Sequence, residues 1–365
     1  MCNNKASSGA RIRSSVIADA PSVDPKTFNK ASIGTVDGML TGNLAKPPNP
    51  PPPPSPIAIS TSILTKMDIG GLPVNIFGLE ELTPASSRAS APTPPDLCIA
   101  IHMHGRGGSA DNEEKIVRQI YDRVERSKQQ YAQQSQGQTF EFLAVSFDAR
   151  NHGHRMTNEI GQKGWKQGNK AHAMDLYSMI VGTAQDVSFL VDFLPSFLFP
   201  YDERRVVNFA VTGKSLGGHA VWHVLAKCDR IKIGVPFISC PDLGRLFAQR
   251  APKSFVTNGP PYIPASLSSL ISQVDPASLP YNAPDPSQNP FWGKRICICN
   301  GQEDRLVPWP CAERFVQQLK VGPPNVQRNN LRVVLQEGIG HEVTEQMIEE
   351  AGHWIFVHGM LYEIQ

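Results

Sequence analysis

A doubly wound, mostly parallel α/β sheet is the fold class this sequence predicts, and three observations predict it. From about residue 57 onward, short apolar runs alternate with longer stretches whose apolar residues recur at three- and four-residue spacing. Several of the short runs, such as "DLCIAIHMHG", are apolar almost without interruption, which suits strands covered by helices on both faces. A single long stretch, 241–292, breaks the rhythm with nine prolines from Pro252 to Pro290 that leave room only for short helices, and it reads as an inserted cap or lid.

Taken in order, "IAISTSILTKM" and "LPVNIFGLEEL" predict an opening pair of strands, and "DLCIAIHMHG" the first fully buried strand. Residues 110–133 predict a helix whose apolar face carries Ile116, Ile120, Tyr121 and Val124. A strand at "FEFLAVSFDA", a helix over about 171–194, a strand at "VVNFAVTG", a helix from about 217 and a strand at "KIGVPFIS" follow. Beyond the insertion come strand "RICICNG", a helix near 309–320, strand "LRVVLQEG" and a last helix over about 343–358. The domain thus spans 57–365. Residues 1–56 end in "KPPNPPPPPSP" and predict a disordered, proline-rich tail, whose run at 47–56 could dock an SH3-type or WW-type domain but more commonly serves as a stiff spacer.

Composition narrows the function. At 365 residues and 40% hydrophobic content the chain can fill one large core. Its 35 basic and 33 acidic residues leave a formal charge of +2, which argues against nucleic acid or an anionic membrane surface and favours a small neutral substrate. Seven cysteines, Cys2, Cys98, Cys228, Cys240, Cys297, Cys299 and Cys311, form no even framework, and several lie in strand-like runs where thiols pack as small apolar groups. The pair Cys297 and Cys299 has no partner at zinc-ligand spacing. No stretch approaches the roughly 20 apolar residues of a membrane span, and the start lacks an apolar signal core, so the expected location is the cytoplasm.

The chemistry concentrates in "VVNFAVTGKSLGGHAVW", where Gly213, Ser215 and Gly217 form G-x-S-x-G between a predicted strand and a predicted helix. A sharp strand-to-helix turn needs small residues on either side of the serine, which is then held strained with its hydroxyl above the sheet edge. A serine hydroxyl is a weak nucleophile until a histidine, oriented by a carboxylate, takes its proton. Asp304, in "GQEDRLVPW" after one strand, and His341, in "GIGHEV" after the next, both fall at strand C-terminal ends, where open α/β sheets bind ligands. Glu303 adjoins Asp304 and competes for the same role, whereas His353 and His358 fall inside the last predicted helix.

With these residues in place, the chain from about 57 to 365 resembles the α/β-hydrolases, and in particular their esterase-like serine hydrolases. The resemblance implies Ser215 as nucleophile, His341 as general base and Asp304 as orienting acid. It also keeps Asp242, after "KIGVPFIS", as a rival acid position. His104, Gly105, Arg106, Gly107 and Gly108 resemble the His-Gly oxyanion loop. The implied donors are the Leu216 amide and one from Gly105, Arg106 or Gly107, with Arg106 standing where a related pattern has glycine. In "SFDARNHGHR" the residues Asp148, Arg150 and His152 are expected to fix a loop, and Asn158, Trp165 and Asn169 to lie near the pocket or in solvent. The implied activity is cleavage of a carboxylic ester, thioester or small amide through an acyl-enzyme, without metal or cofactor. Its alternatives are a silent binding protein, or lyase and C–C bond chemistry on the same scaffold.

Overall fold

The chain enters its sheet through a hairpin. β1 (Leu64–Ile69) and β2 (Leu72–Phe77) are antiparallel and joined at Gly70 and Gly71, whose φ values of 59° and 87° are what a tight two-residue turn demands. In the computed structural model the described residues are 62–83, 93–135 and 137–361. The predicted tail over 1–56, its proline run at 47–56 and the first residues of the expected opening strand lie outside them.

After the hairpin, strands and helices alternate: β3 (Asp96–Met103), α1 (Glu114–Gln134), β4 (Glu141–Phe147), α2 (His172–Leu198), β5 (Arg205–Lys214), α3 (Leu216–Lys227) and β6 (Ile231–Phe237). Two helices, α4 (Leu243–Lys253) and α5 (Ala265–Val274), occupy the proline-rich stretch. The alternation resumes with β7 (Arg295–Gly301), α6 (Pro310–Gln318), α7 (Pro324–Asn330), β8 (Leu331–Gln336) and α8 (Glu345–Gly359). Helix α7 has no counterpart among the predicted elements. The Pro323–Pro324 pair reads as a break, but a proline in the first turn gives up only an amide the helix would leave unpaired.

The eight strands form one sheet in the order β1-β2-β4-β3-β5-β6-β7-β8, parallel from β4 to β8. The chain steps from β3 outward to β4 and then returns to β5 on the other side of β3. The order therefore reverses between β3 and β5, and at such a switch point the connections leave in opposite directions and open a crevice at the strand C-termini.

Alternate residues feed two cores. Ile99, Ile101 and Met103 of β3 pack with α2, α3 and α6, while Cys98 and Ala100 pack with α1 and α8 on the other face. Cys297 and Cys299 point to this second face together, with their sulfurs 3.9 Å apart, as small apolar groups of the core. The six described cysteines are free and buried. On α1 the predicted Ile120, Tyr121 and Val124 are buried together with Val117 and Ser127, and Ile116 packs against the same core while only partly covered. No helix among the described residues is long and apolar enough to cross a membrane.

Candidate active site

β5 runs into α3 with no loop, so Ser215 alone must turn the chain. It does so at φ 54° and ψ −108°, a conformation that costs a side-chain-bearing residue strain. The turn closes because its neighbours lack side chains. A Cβ on Gly213 would lie 2.4 Å from Gly217 O, and one on Gly217 would lie 2.0 Å from Met103 O. Backbone bonds lock the elbow on both sides: Ser215 N donates to Phe237 O at 3.0 Å, and Gly217 N to His104 O at 3.1 Å.

Asp304 and His341 follow β7 and β8, yet Ser215 follows β5, so the loop bearing His341 must double back across the end of β7. Gly301 permits it, since a Cβ there would meet Gly340 O at 2.3 Å. Gln302 N donates to Gln336 O at 2.8 Å and Glu303 N to Ile339 O at 2.9 Å, stitching the two loops together. As a result His341 Nδ1 lies 2.6 Å from Asp304 Oδ2, and His341 Nε2 lies 2.9 Å from Ser215 Oγ. A carboxylate only accepts, so Nδ1 carries the hydrogen and Nε2 is left to accept from the serine hydroxyl. Asp304 Oδ1 accepts from Leu306 N at 2.8 Å and Val307 N at 2.9 Å, which fixes the buried carboxylate.

The other acids are engaged elsewhere or turned away. Asp242 caps α4, its Oδ1 accepting from Arg245 N at 2.8 Å, and the Glu303 side chain is exposed. His353 and His358 lie on α8, where His358 packs against the Trp354 ring.

The loop after β3 runs directly beside the serine, and a Cβ on Gly105 would sit 3.6 Å from Ser215 Cβ. His104 anchors this loop: its Nδ1 donates to Gly105 O at 2.8 Å while Nε2 accepts from Ala149 N at 2.9 Å. Burial holds the His104 pKa down, which keeps the ring neutral and able to accept. Gly107 takes φ 78°, turning the chain back so that Gly108 N donates to Gly105 O at 3.0 Å. Leu216, the first residue of α3, has an amide outside the helical ladder, at the positive end of the helix dipole.

Asp148, Arg150 and His152 form the scaffold behind this loop. Asp148 accepts from Ala110 N and His154 N, both at 2.8 Å, Arg150 pairs with Asp186 at 3.0 Å, and His152 Nδ1 donates to Arg150 O at 2.9 Å. Asn169 is buried and ties Lys163 O to Asp175, and Asn158 is exposed; neither lines the cleft. Trp165 does line it, with its ring edge-on to His172.

The cleft holds about 530 Å³, with Ser215, Leu216 and His341 in its lining. Leu176, Trp165 and Leu306 give it apolar surface, and Arg106, His172 and Arg250 give it a polar wall. His172 is pushed down to about 3 by burial and then by the charges of Arg106 and Arg250, so it is neutral, and its Nδ1 accepts from Arg106 Nη1 at 3.4 Å. Arg250, on α4, donates from Nε at 3.2 Å and Nη2 at 2.7 Å to Leu306 O. Sequence reasoning singled out neither His172 nor Arg250. An arginine on a short helix inside an insertion reads as solvated surface until the packing of that helix is known.

No protein-family model matches the chain, and no curated protein matches it in sequence. Solved structures do resemble it. The protein TT1662 from Thermus thermophilus aligns with a TM-score of 0.53 at 18% identity, over 81% of this chain and 97% of that one. A cold-adapted esterase from an Arctic intertidal metagenomic library aligns over 82% of this chain and 93% of its own, at 14% identity and a TM-score of 0.44. Prolyl oligopeptidase B from Galerina marginata aligns over 81% of this chain and 36% of its own, at 16% identity and a TM-score of 0.47. The fold of the chain is that of the α/β-hydrolases.

Proposed function

We propose that this α/β-hydrolase-fold chain is a serine hydrolase that cleaves a carboxylic ester through an acyl-enzyme on Ser215. One observation carries the reading: an unbroken path from Ser215 Oγ through His341 to Asp304, with spacings of 2.9 and 2.6 Å, opens onto a cleft at the strand C-termini.

In the proposed reaction His341 Nε2 takes the Ser215 hydroxyl proton as Oγ bonds to the acyl carbon. The negative charge that moves onto the carbonyl oxygen meets the Leu216 amide and a second amide from Arg106 or Gly107. His341 then gives its proton to the leaving alcohol as the C–O bond breaks. Water, deprotonated by the same nitrogen, attacks the acyl carbon and releases the acid, returning the proton to Ser215. Asp304 holds the imidazole in the required tautomer and stabilises its charged form. A thioester or small amide would follow the same path. An alcohol leaves more readily than an amine, which favours esters.

The test is release of p-nitrophenol from acetate, butyrate and octanoate esters by the wild type and by Ser215→Ala, His341→Ala and Asp304→Asn. Turnover that Ser215→Ala abolishes supports the reading. Wild-type rates equal to buffer on every ester, together with no covalent labelling of Ser215 by a fluorophosphonate, would remove it.

A further inference from the structure

The wall of the cleft carries a concentration of positive charge that the near-neutral chain as a whole conceals. Arg106, Lys166, Arg250, Lys253 and Arg305 all line it, and no Asp or Glu appears among the described lining residues. None of the five makes an ion pair with a carboxylate of the described residues. Elsewhere on the molecule arginines such as Arg150, Arg155 and Arg332 do have carboxylate partners.

Arg250 is the most constrained of the five. It is half-buried, and its Nε and Nη2 are spent on Leu306 O, in the loop whose amides Asp304 fixes, while Nη1 has no acceptor among the described residues. Arg106 reaches the same region from the opposite loop, and among the described residues its side-chain hydrogen bond is to the neutral His172 ring. Desolvation and mutual repulsion both oppose two guanidinium groups here, and Arg250 is pulled down to about 10 chiefly by burial, with Arg106 adding to the shift. Such an arrangement is costly in the empty protein and becomes favourable when an anion enters. A guanidinium fork matches the two oxygens of a carboxylate or the edge of a phosphate.

We propose that the substrate carries an anionic group, a carboxylate or phosphate, and that Arg250 and Arg106 hold it while Ser215 attacks the ester bond. The apolar surfaces of Trp165, Leu176 and Leu306 would cover the short carbon skeleton between the charge and the ester. The two arginines are then specificity determinants, and the inference deepens the hydrolase reading of the same site, on which it rests.

The experiment compares esters matched in length. p-Nitrophenyl glutarate monoester against p-nitrophenyl valerate places the charge on the acyl side, and 4-acetoxybenzoate against 4-acetoxybenzamide places it on the leaving alcohol. Wild type should favour the anionic member of one pair by tenfold or more in kcat/KM, and which pair does so identifies the side of the bond that faces the arginines. That preference should fall at least fivefold in Arg250→Gln and in Arg106→Gln, each checked for folding by thermal unfolding. Equal rates within both pairs, or a preference that survives both substitutions, overturns the inference. Calorimetric titration of Ser215→Ala with glutarate separates this failure from that of the hydrolase reading. Glutarate binding that disappears in Ser215→Ala/Arg250→Gln, with no ester turnover by wild type, removes the hydrolase and leaves the anion site. Turnover of neutral esters without glutarate binding does the reverse.

Discussion

Of the four histidine–carboxylate pairs among the described residues, His341–Asp304 and His223–Asp275 make the most instructive contrast, since only the first has a serine hydroxyl and an open cleft beside it. His341 and Asp304 approach to 2.6 Å at the sheet edge, where the imidazole keeps 18% of its surface open and a serine hydroxyl waits on its far nitrogen. His223 and Asp275 lie 3.5 Å apart, each 1% exposed, beneath the inserted helices. There Asp275 Oδ2 accepts from Leu243 N at 2.9 Å, and the His223 ring packs edge-on to Tyr177. The residue types are the same; what differs is a third group and a route for substrate. The buried pair fastens α4 to α3, and α4 is the helix that brings Arg250 to the cleft.

The contrast can be broken most sharply by deleting the half proposed to be catalytic. Ser215→Ala and His341→Ala should each lower kcat on a reactive ester by on the order of 10⁵- to 10⁶-fold, read by burst and steady-state p-nitrophenol release. Asp304→Asn, which reverses the donor–acceptor relation to His341 Nδ1, should cost roughly 10⁴-fold. If His223→Ala produced losses of that size without unfolding the protein, the two pairs would have been assigned the wrong way round.

The buried pair should answer in stability instead. Asp275→Ala leaves the Leu243 amide without its acceptor and removes the carboxylate 3.5 Å from His223, and should lower the unfolding free energy by about 3 kcal/mol in urea titrations. A variant as stable as wild type would show that α4 is held by its apolar face alone. Buried histidines also set an acid limit: burial pushes His102 down to about 4 and His219 to about 3. An unfolded histidine takes its proton near pH 6.5, so the stability these two provide is complete above that pH and is lost as pH falls from about 6.5 towards 4. The loss is about 1.4 kcal/mol per pH unit for each. Urea midpoints measured from pH 7 to pH 4.5 test this, and a flat profile would refute it. The smallest effect belongs to the rival acid, since Asp242→Ala removes only a helix cap and should cost about 1 kcal/mol with little change in kcat.

What the sequence made legible follows from how local each constraint is. The elbow could be read because Gly213 is demanded by its contact with Gly217 within the same turn, and the strand before it and helix after it are periodic, although Gly217 itself answers to Met103 O on β3. Asp304 could not be separated from Asp242 and Glu303 by position alone, because loops after parallel strands all emerge at one edge. The 2.6 Å approach of Asp304 to His341 divides them, together with the Asp242 bond to Arg245 N and the exposure of the Glu303 side chain. The polar wall was invisible for a related reason. A net charge of +2 describes the sum over the chain, and says nothing about five cations gathered on one cleft. The expectation of a neutral substrate came from that sum, whereas the inferred anion preference comes from the placement.

Gly301 has a consequence for motion as well as for packing. By letting the loop after β8 lie on the end of β7, it allows the backbone bonds Gln302 N to Gln336 O and Glu303 N to Ile339 O, which join acid and base into one stiff plate. Ser215 rides on the β5–α3 turn, which is bonded to Phe237 O and His104 O instead. The 2.9 Å contact between Ser215 Oγ and His341 Nε2 is therefore the junction between two separately fastened pieces of backbone. A change that shifts one piece against the other would alter that spacing while leaving the 2.6 Å approach of His341 to Asp304 intact.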